Sequence, residues 1–292
     1  MKHLDSSIMR SVQLAIGIFS VLTIYGCGGG GGSSNDNAPI TRTVSSITPD
    51  RLSYGRLSTF TVIGAGLSSG VTFTTGGCDS LAVVAGGSDS QQTFTCIPNT
   101  SLAVQVAALS SGSEIFSKTL AVPKPQVTMI TSMGTVVVEL EPTIVPVTVN
   151  NFLAYVKSAY YNGTLFHRII PSFVIQGGGF VGVGTNTLNQ APGLGSAIVL
   201  ESNRGLNNLR GTISMARQTA PDTAIAQFFF NIADNPSLNY SSAALPGYAV
   251  FGHVVSGLEI LDTMSAVSTR TVGPFANVPV TDVMLTSITQ TL

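Results

Sequence analysis

Short apolar and β-branched runs recur through residues 40 to 122, each closed by Gly, Ser or Asp. They are Phe60-Thr61-Val62-Ile63, Val71-Thr72-Phe73, Leu81-Ala82-Val83-Val84, Gln92-Thr93-Phe94-Thr95 and Leu102-Ala103-Val104-Gln105-Val106. Side chains alternate between faces along a strand, so runs of this length and spacing predict about seven strands in a β-sandwich. Pro123-Lys124-Pro125 interrupts the pattern. Residues before prolines are pushed toward extended backbone, which suits a domain junction at this point.

Beyond the junction the periodicity changes. Val127-Thr128-Met129-Ile130 and Thr135-Val136-Val137-Val138-Glu139-Leu140 read as two strands joined at Ser132-Met133-Gly134. In Thr148 to Val156 the residues Phe152, Leu153 and Val156 fall on one face at helical spacing, which predicts a helix. An apolar run then spans Phe166 to Gly178 and carries Arg168, Phe173 and Gln176. Two further blocks follow, Gly211-Thr212-Ile213-Ser214-Met215-Ala216-Arg217 and Gln227-Phe228-Phe229-Phe230-Asn231.

The start of the chain has a different character. Lys2 and Arg10 precede fourteen uncharged residues, 11 to 24, and the run ends at Ile24-Tyr25-Gly26-Cys27. That layout predicts a signal peptide over residues 1–26, too short in its apolar part for the ~20 residues of a transmembrane helix. Ile24 and Gly26 before Cys27 resemble the bacterial lipobox, with Tyr25 a bulky departure. The resemblance implies lipidation of Cys27, a membrane anchor through that lipid, and export to the cell envelope. Gly28 follows where an aspartate often retains such proteins in the inner membrane, so the expected location is the outer membrane, facing the periplasm. Residues 28 to 39 lack periodicity and form, with Cys27, an expected tether with a reach on the order of 20 Å.

Cys78 and Cys96 share one segment of an exported chain, so they are expected to form a disulfide. Seventeen residues separate them, unlike the close spacing of redox-active pairs.

Composition narrows the chemistry. Hydrophobic residues make up 44% of the chain and charged residues 9%, enough apolar material for two cores. The formal charge of -1, without a basic stripe, argues against nucleic acid as a partner. Three His residues, one of them in the first ten positions, are too few for a His-rich metal site, and no metal is expected. Gly177-Gly178-Gly179-Phe180-Val181-Gly182, with Glu201 further on, formally matches a dinucleotide fingerprint. Such glycines must open a helix, and residues 182 to 196 hold four glycines and a proline with no apolar stripe. No Gly-x-Ser-x-Gly elbow supports a serine hydrolase either.

The blocks carrying Arg168, Phe173 and Gln176, then Gly211 to Arg217, then Gln227 to Asn231, resemble the cyclophilins, peptidyl-prolyl cis/trans isomerases. The likeness runs from about Val127 to the C-terminus. It implies a mainly β fold, a closed antiparallel β-barrel with two flanking helices in residues 123–292, preceded by the sandwich of residues 40–122. That sandwich is loosely similar to immunoglobulin-like domains and is read as a spacer.

The resemblance also implies roles. Arg168 is the expected donor to the twisted amide, and Phe173 and Gln176 complete the expected catalytic set. Phe173, Phe229 and Leu238 match the proline pocket, with Val174 beside them. Gln176 and Gln227 match positions that hydrogen-bond substrate backbone. Ala216 and Arg217 match the strand along which the peptide lies, and Tyr248 stands at the pocket rim where well-known eukaryotic members have histidine. Ser237 replaces their cyclosporin-contacting tryptophan, so weak cyclosporin binding is expected. The implied partners are proline-containing peptides and unfolded exported proteins, and the reaction needs no cofactor. A capture module for proline segments would need the pocket but not the donor, so Arg168 argues for turnover; a surface adhesin built on the first domain is the other alternative.

Overall fold

The computed structural model describes residues 41–292; the expected signal peptide, Cys27 and the expected tether lie outside the described residues. Seven strands fill the first part: β1 (Thr43–Pro49), β2 (Ser58–Ala65), β3 (Val71–Gly76), β4 (Cys78–Val83), β5 (Gln91–Pro98), β6 (Ala103–Ser110) and β7 (Ser113–Ala121). They form a four-stranded sheet of order β1-β2-β5-β4 and a three-stranded sheet of order β3-β6-β7. Both contribute to one core, where Phe94 stacks between Phe60 and Phe73 and Ile47, Val104 and Val106 are fully buried. Cys78 and Cys96 are disulfide-bonded, with Cα atoms 5.8 Å apart.

The second part begins with β8 (Gln126–Thr131) and β9 (Gly134–Leu140), then α1 (Pro146–Lys157), β10 (Thr164–Leu165), β11 (Arg168–Ile170), β12 (Val174–Gly177), β13 (Phe180–Val183) and β14 (Leu188–Gln190). It continues with β15 (Thr212–Met215), β16 (Phe228–Asn231), β17 (Val250–Ser256), α2 (Leu258–Ser265), β18 (Thr269–Val272), β19 (Phe275–Pro279) and β20 (Met284–Gln290). Nine of these strands make one antiparallel sheet of order β10-β20-β8-β9-β17-β15-β16-β12-β11. The sheet curls into a half-barrel rather than the closed barrel implied by the resemblance. Its two edge strands, β10 and β11, are consecutive in the chain and separated only by Phe166-His167. The chain therefore passes from one edge to the other without a hydrogen-bonded ladder between them.

The helix predicted over Thr148 to Val156 is α1. Pro146 sets its first turn, and Val149, Phe152, Tyr155 and Val156 bury one face. No acidic residue of its own lies in that turn. The buried Glu201 supplies the charge instead, accepting from Thr148 N and Thr148 Oγ1, each at 2.8 Å. That is the role of the carboxylate that followed the glycine-rich stretch. Residues 180–183 after those glycines form strand β13, not a helix, so the dinucleotide fingerprint lacks its required context.

The two parts meet through side chains. Tyr54, from the turn after β1, is buried in the core of the second part, and its hydroxyl donates to Asn150 Oδ1 on α1 at 2.8 Å.

Candidate active site

Alternation along the strands sorts the site from the core. Across β11, β12, β16 and β15, Ile169 pairs with Ile175, Ile175 with Phe230 and Phe230 with Ile213, and all four are fully buried. The neighbouring row pairs Arg168 with Gln176 and Gln176 with Phe229, and these side chains stand on the opposite face of the sheet. Pro171 and Ser172 form the β11–β12 turn, closed by Phe173 N donating to Ile170 O at 3.2 Å. That turn presents Phe173 beside Arg168 and Gln176.

One cavity of about 240 Å³ is lined by Arg168, Phe173, Val174, Gln176, Ala216, Arg217, Phe229, Leu238 and Tyr248. Nine of the ten peptide-site residues expected from the sequence therefore converge on a single space. The tenth, Gln227, stands next to it: Gln176 Nε2 donates to Gln227 Oε1 at 2.9 Å, and Gln227 lines an adjoining cavity with His167 and Phe180. Leu238 reaches the site from a single 3₁₀ turn, Pro236–Leu238. Tyr248 packs edge-to-face on Phe229 at 5.5 Å and lies under the Arg217 guanidinium at 4.8 Å.

Arg168 has one side-chain partner, Gln176 Oε1 at 3.4 Å, and no carboxylate in ion-pair range among the described residues. It lines the cavity without a counter-charge. His167, next in the chain, is buried and packs edge-on to Phe180. Burial, opposed by a backbone hydrogen bond with Leu165 and aided by the adjacent Arg168 charge, brings its pKa down to about 4, so the ring is neutral at pH 7.

Behind the site lies a network of buried amides that the sequence reading passed over. Asn208 Oδ1 accepts from Ser214 Oγ at 2.7 Å and from Asn231 Nδ2 at 3.1 Å, while Asn208 Nδ2 donates to Leu238 O at 3.0 Å. Asn235 Nδ2 donates to Phe173 O at 3.0 Å and to Asn231 Oδ1 at 2.8 Å. The network ties the backbones of Phe173 and Leu238, two walls of the cavity, to one rigid centre. Asn231 at the end of the Phe228-Phe229-Phe230 run was the available signal, since a polar residue closing such an apolar strand needs partners when buried.

The described residues also include a group able to hold a cation: Glu139 on β9, Glu141 just after β9 and His253 on β17. Lys124 Nζ already sits 2.8 Å from Glu141 and 3.7 Å from Glu139, so the carboxylates are paired, away from the cavity.

Residues 126–290 match the family model described as cyclophilin type peptidyl-prolyl cis-trans isomerase/CLD. The chain belongs to this family. Peptidyl-prolyl cis-trans isomerase A of Dickeya dadantii is 43% identical over 184 residues, 63% of this chain and 92% of that protein. Peptidyl-prolyl cis-trans isomerase B of Escherichia coli is 42% identical over 165 residues, 56% of this chain and 98% of that protein. A solved Cryptosporidium parvum cyclophilin type isomerase, determined in the presence of the dipeptide Ala-Pro, aligns at 29% identity with a TM-score of 0.48, over 57% of this chain and 99% of that chain. The cyclophilin described here is a peptidyl-prolyl cis-trans isomerase of mainly β architecture with two helices.

Proposed function

We propose that this cyclophilin turns over X-Pro bonds with Arg168 as the donor and the 240 Å³ cavity as the proline pocket. Amide resonance opposes rotation with a barrier of about 18–20 kcal/mol, and the twisted state gains lone-pair character on the prolyl nitrogen. Phe173, Phe229 and Leu238 hold the pyrrolidine ring away from water, Gln176 and Gln227 hold the flanking backbone, and the Arg168 guanidinium stabilises the twisted amide. No bond is made and no proton moves, so neither a nucleophile nor a general base is required. The convergence of nine expected residues on one cavity carries this reading. NMR exchange of a short Ala-Pro peptide tests it: acceleration by the parent and a loss of at least about ten-fold in Arg168→Ala, about 1.4 kcal/mol, is expected. Peptide binding without acceleration would make the protein a capture module instead.

Its workplace is the cell envelope in this reading. Lys2, Arg10, the uncharged run of residues 11 to 24 and Cys27 support an exported lipoprotein, anchored through Cys27 and assisting the folding of extracytoplasmic proteins. The two sheets of residues 43–121 support an immunoglobulin-like spacer between anchor and enzyme. Ser237 supports weak binding of cyclosporin. Loss of the membrane-bound fraction in Cys27→Ser tests the anchor.

A further inference from the structure

Beside the proline pocket lies a larger cavity of about 840 Å³, and the two share Arg217 and Tyr248. Its walls are the segment 217–219, the 3₁₀ turn and the loop of residues 239–248. Arg217 is bonded almost wholly to backbone. Nε donates to Gly247 O at 2.9 Å, and Nη1 donates to Gln218 O at 2.8 Å and to Thr219 O at 3.0 Å. Gly247 has a φ of +60°, and a Cβ there would meet the backbone of Asn239, so the close approach needs glycine; Tyr248 N donating to Leu238 O at 2.9 Å ties the loop that receives Nε to the 3₁₀ turn. The guanidinium is held on a wall common to both cavities before any substrate arrives.

A guanidinium carries five donor hydrogens, and these three bonds use those on Nε and Nη1. Nη2 has no acceptor among the described residues, and no carboxylate there lies in ion-pair range of Arg217. The rest of the lining offers neutral amides and hydroxyls, such as Gln218 and Ser241, and no acid. An immobilised cation with two unused donors, in a cleft without a counter-charge, favours an anionic group able to accept both hydrogens.

We infer that this second cavity is a subsite for an acidic side chain of the substrate, lying within a few residues of the proline and held by Arg217 Nη2. The inference rests on the proline-pocket reading above. An extended chain advances about 3.3–3.6 Å per residue, so a residue seated in the adjoining cavity stays close to the proline in sequence. Glutamate or aspartate there gains a pre-oriented partner, whereas lysine meets like charge. The enzyme is thereby biased toward acidic proline segments.

The test uses the full-length protein and Ala-Pro peptides bearing Glu, Gln or Lys at each of the three positions on either side of the Ala-Pro pair. At one position the Glu peptide should exceed the Gln peptide about three- to ten-fold in kcat/KM, the range of a partly exposed ion pair, with Lys below Gln and the advantage shrinking in salt. The quantity compared is the Glu-to-Gln ratio within one preparation, so loss of folded enzyme cancels. Arg217→Met should bring the ratio to one, and Ser241→Asp, which places a negative charge in the same cleft, should bring it below one. Equal rates for Glu and Gln at all six positions, or a ratio that survives Arg217→Met, would overturn the subsite while leaving the isomerase intact. Failure to turn over even the Gln peptide would overturn the proline-pocket reading and the subsite with it.

Discussion

Arg168 and Gln176 are direct partners across the β11–β12 ladder, and Arg168 Nη1 donates to Gln176 Oε1 at 3.4 Å, near the limit of a hydrogen bond. A bond that long is readily exchanged for a substrate carbonyl. Replacing the amide by a carboxylate should convert it into a charge-assisted pair and hold the donor in the resting state. Gln176→Glu is therefore expected to lower kcat/KM about ten-fold at pH 7, an increase of about 1.4 kcal/mol in the barrier, with partial recovery as the new carboxyl is protonated. A variant as fast as the parent at pH 7 would show that the Arg168–Gln176 contact plays no part in turnover.

His167 makes a different pH signature. Its folded pKa is about 4, against about 6.5 in an unfolded chain, so the unfolded state binds the proton more readily between those values. Stability from this group is therefore complete above pH 6.5 and is lost as pH falls toward 4, by at most about 3 kcal/mol. Between pH 6.5 and 8 it should leave turnover flat. The check is the urea midpoint at pH 4.5 and 7.5, where His167→Phe should narrow the gap between the two; an unchanged gap would assign the acid sensitivity to other groups.

The amide network predicts a coupled loss. Asn208→Ala leaves the buried Ser214 Oγ without its partner, while Asn231 Nδ2 keeps its bond to Thr212 Oγ1 and the Leu238 carbonyl keeps its bond from Tyr248 N. One unsatisfied buried hydroxyl, with the loss of the two further bonds, costs about 2 kcal/mol. Because Leu238 lines the cavity proposed to hold the proline, KM should rise as well. A destabilised variant with the parent's KM would separate the network from the site.

These residues mark where the sequence was readable. The site motif was legible because strand alternation places Arg168 and Gln176 on one face and Ile169 and Ile175 on the other, a local property of period two. The seven strands before the Pro123-Lys124-Pro125 junction were legible for the same reason. Closure of the barrel was not, because it depends on whether β10 and β11 pair, and no local pattern encodes that. Glu201 and Asn208 were equally silent, since their partners Thr148, Leu238 and Ser214 are chosen by the fold rather than by spacing. Arg217 was assigned to the peptide strand, but its three carbonyl partners, and hence its unused Nη2, emerged only from the loop at Gly247.

The junction at Tyr54 carries the last prediction. Its ring is buried in the core of the isomerase part, its hydroxyl donates to Asn150, and its carbonyl accepts from Gln290 Nε2 at 2.9 Å. Arg51 Nη2 and Arg56 Nη1 donate to the carbonyls of Thr291 and Gln290, at 2.9 and 3.0 Å. The first part of the chain therefore clamps the end of β20, a strand that bridges β8 and β10 within the curled sheet. Tyr54→Ala should cost about 3–5 kcal/mol, the range for emptying a buried aromatic site, whereas Tyr54→Phe should cost about 1 kcal/mol for the hydrogen bond. Both losses should appear in the unfolding of the isomerase part, followed through proline-peptide turnover against urea, because the Tyr54 ring belongs to that core. If Tyr54→Ala shifted only the unfolding of residues 41–122 and left the turnover midpoint in place, the first part would be a passenger rather than a clamp.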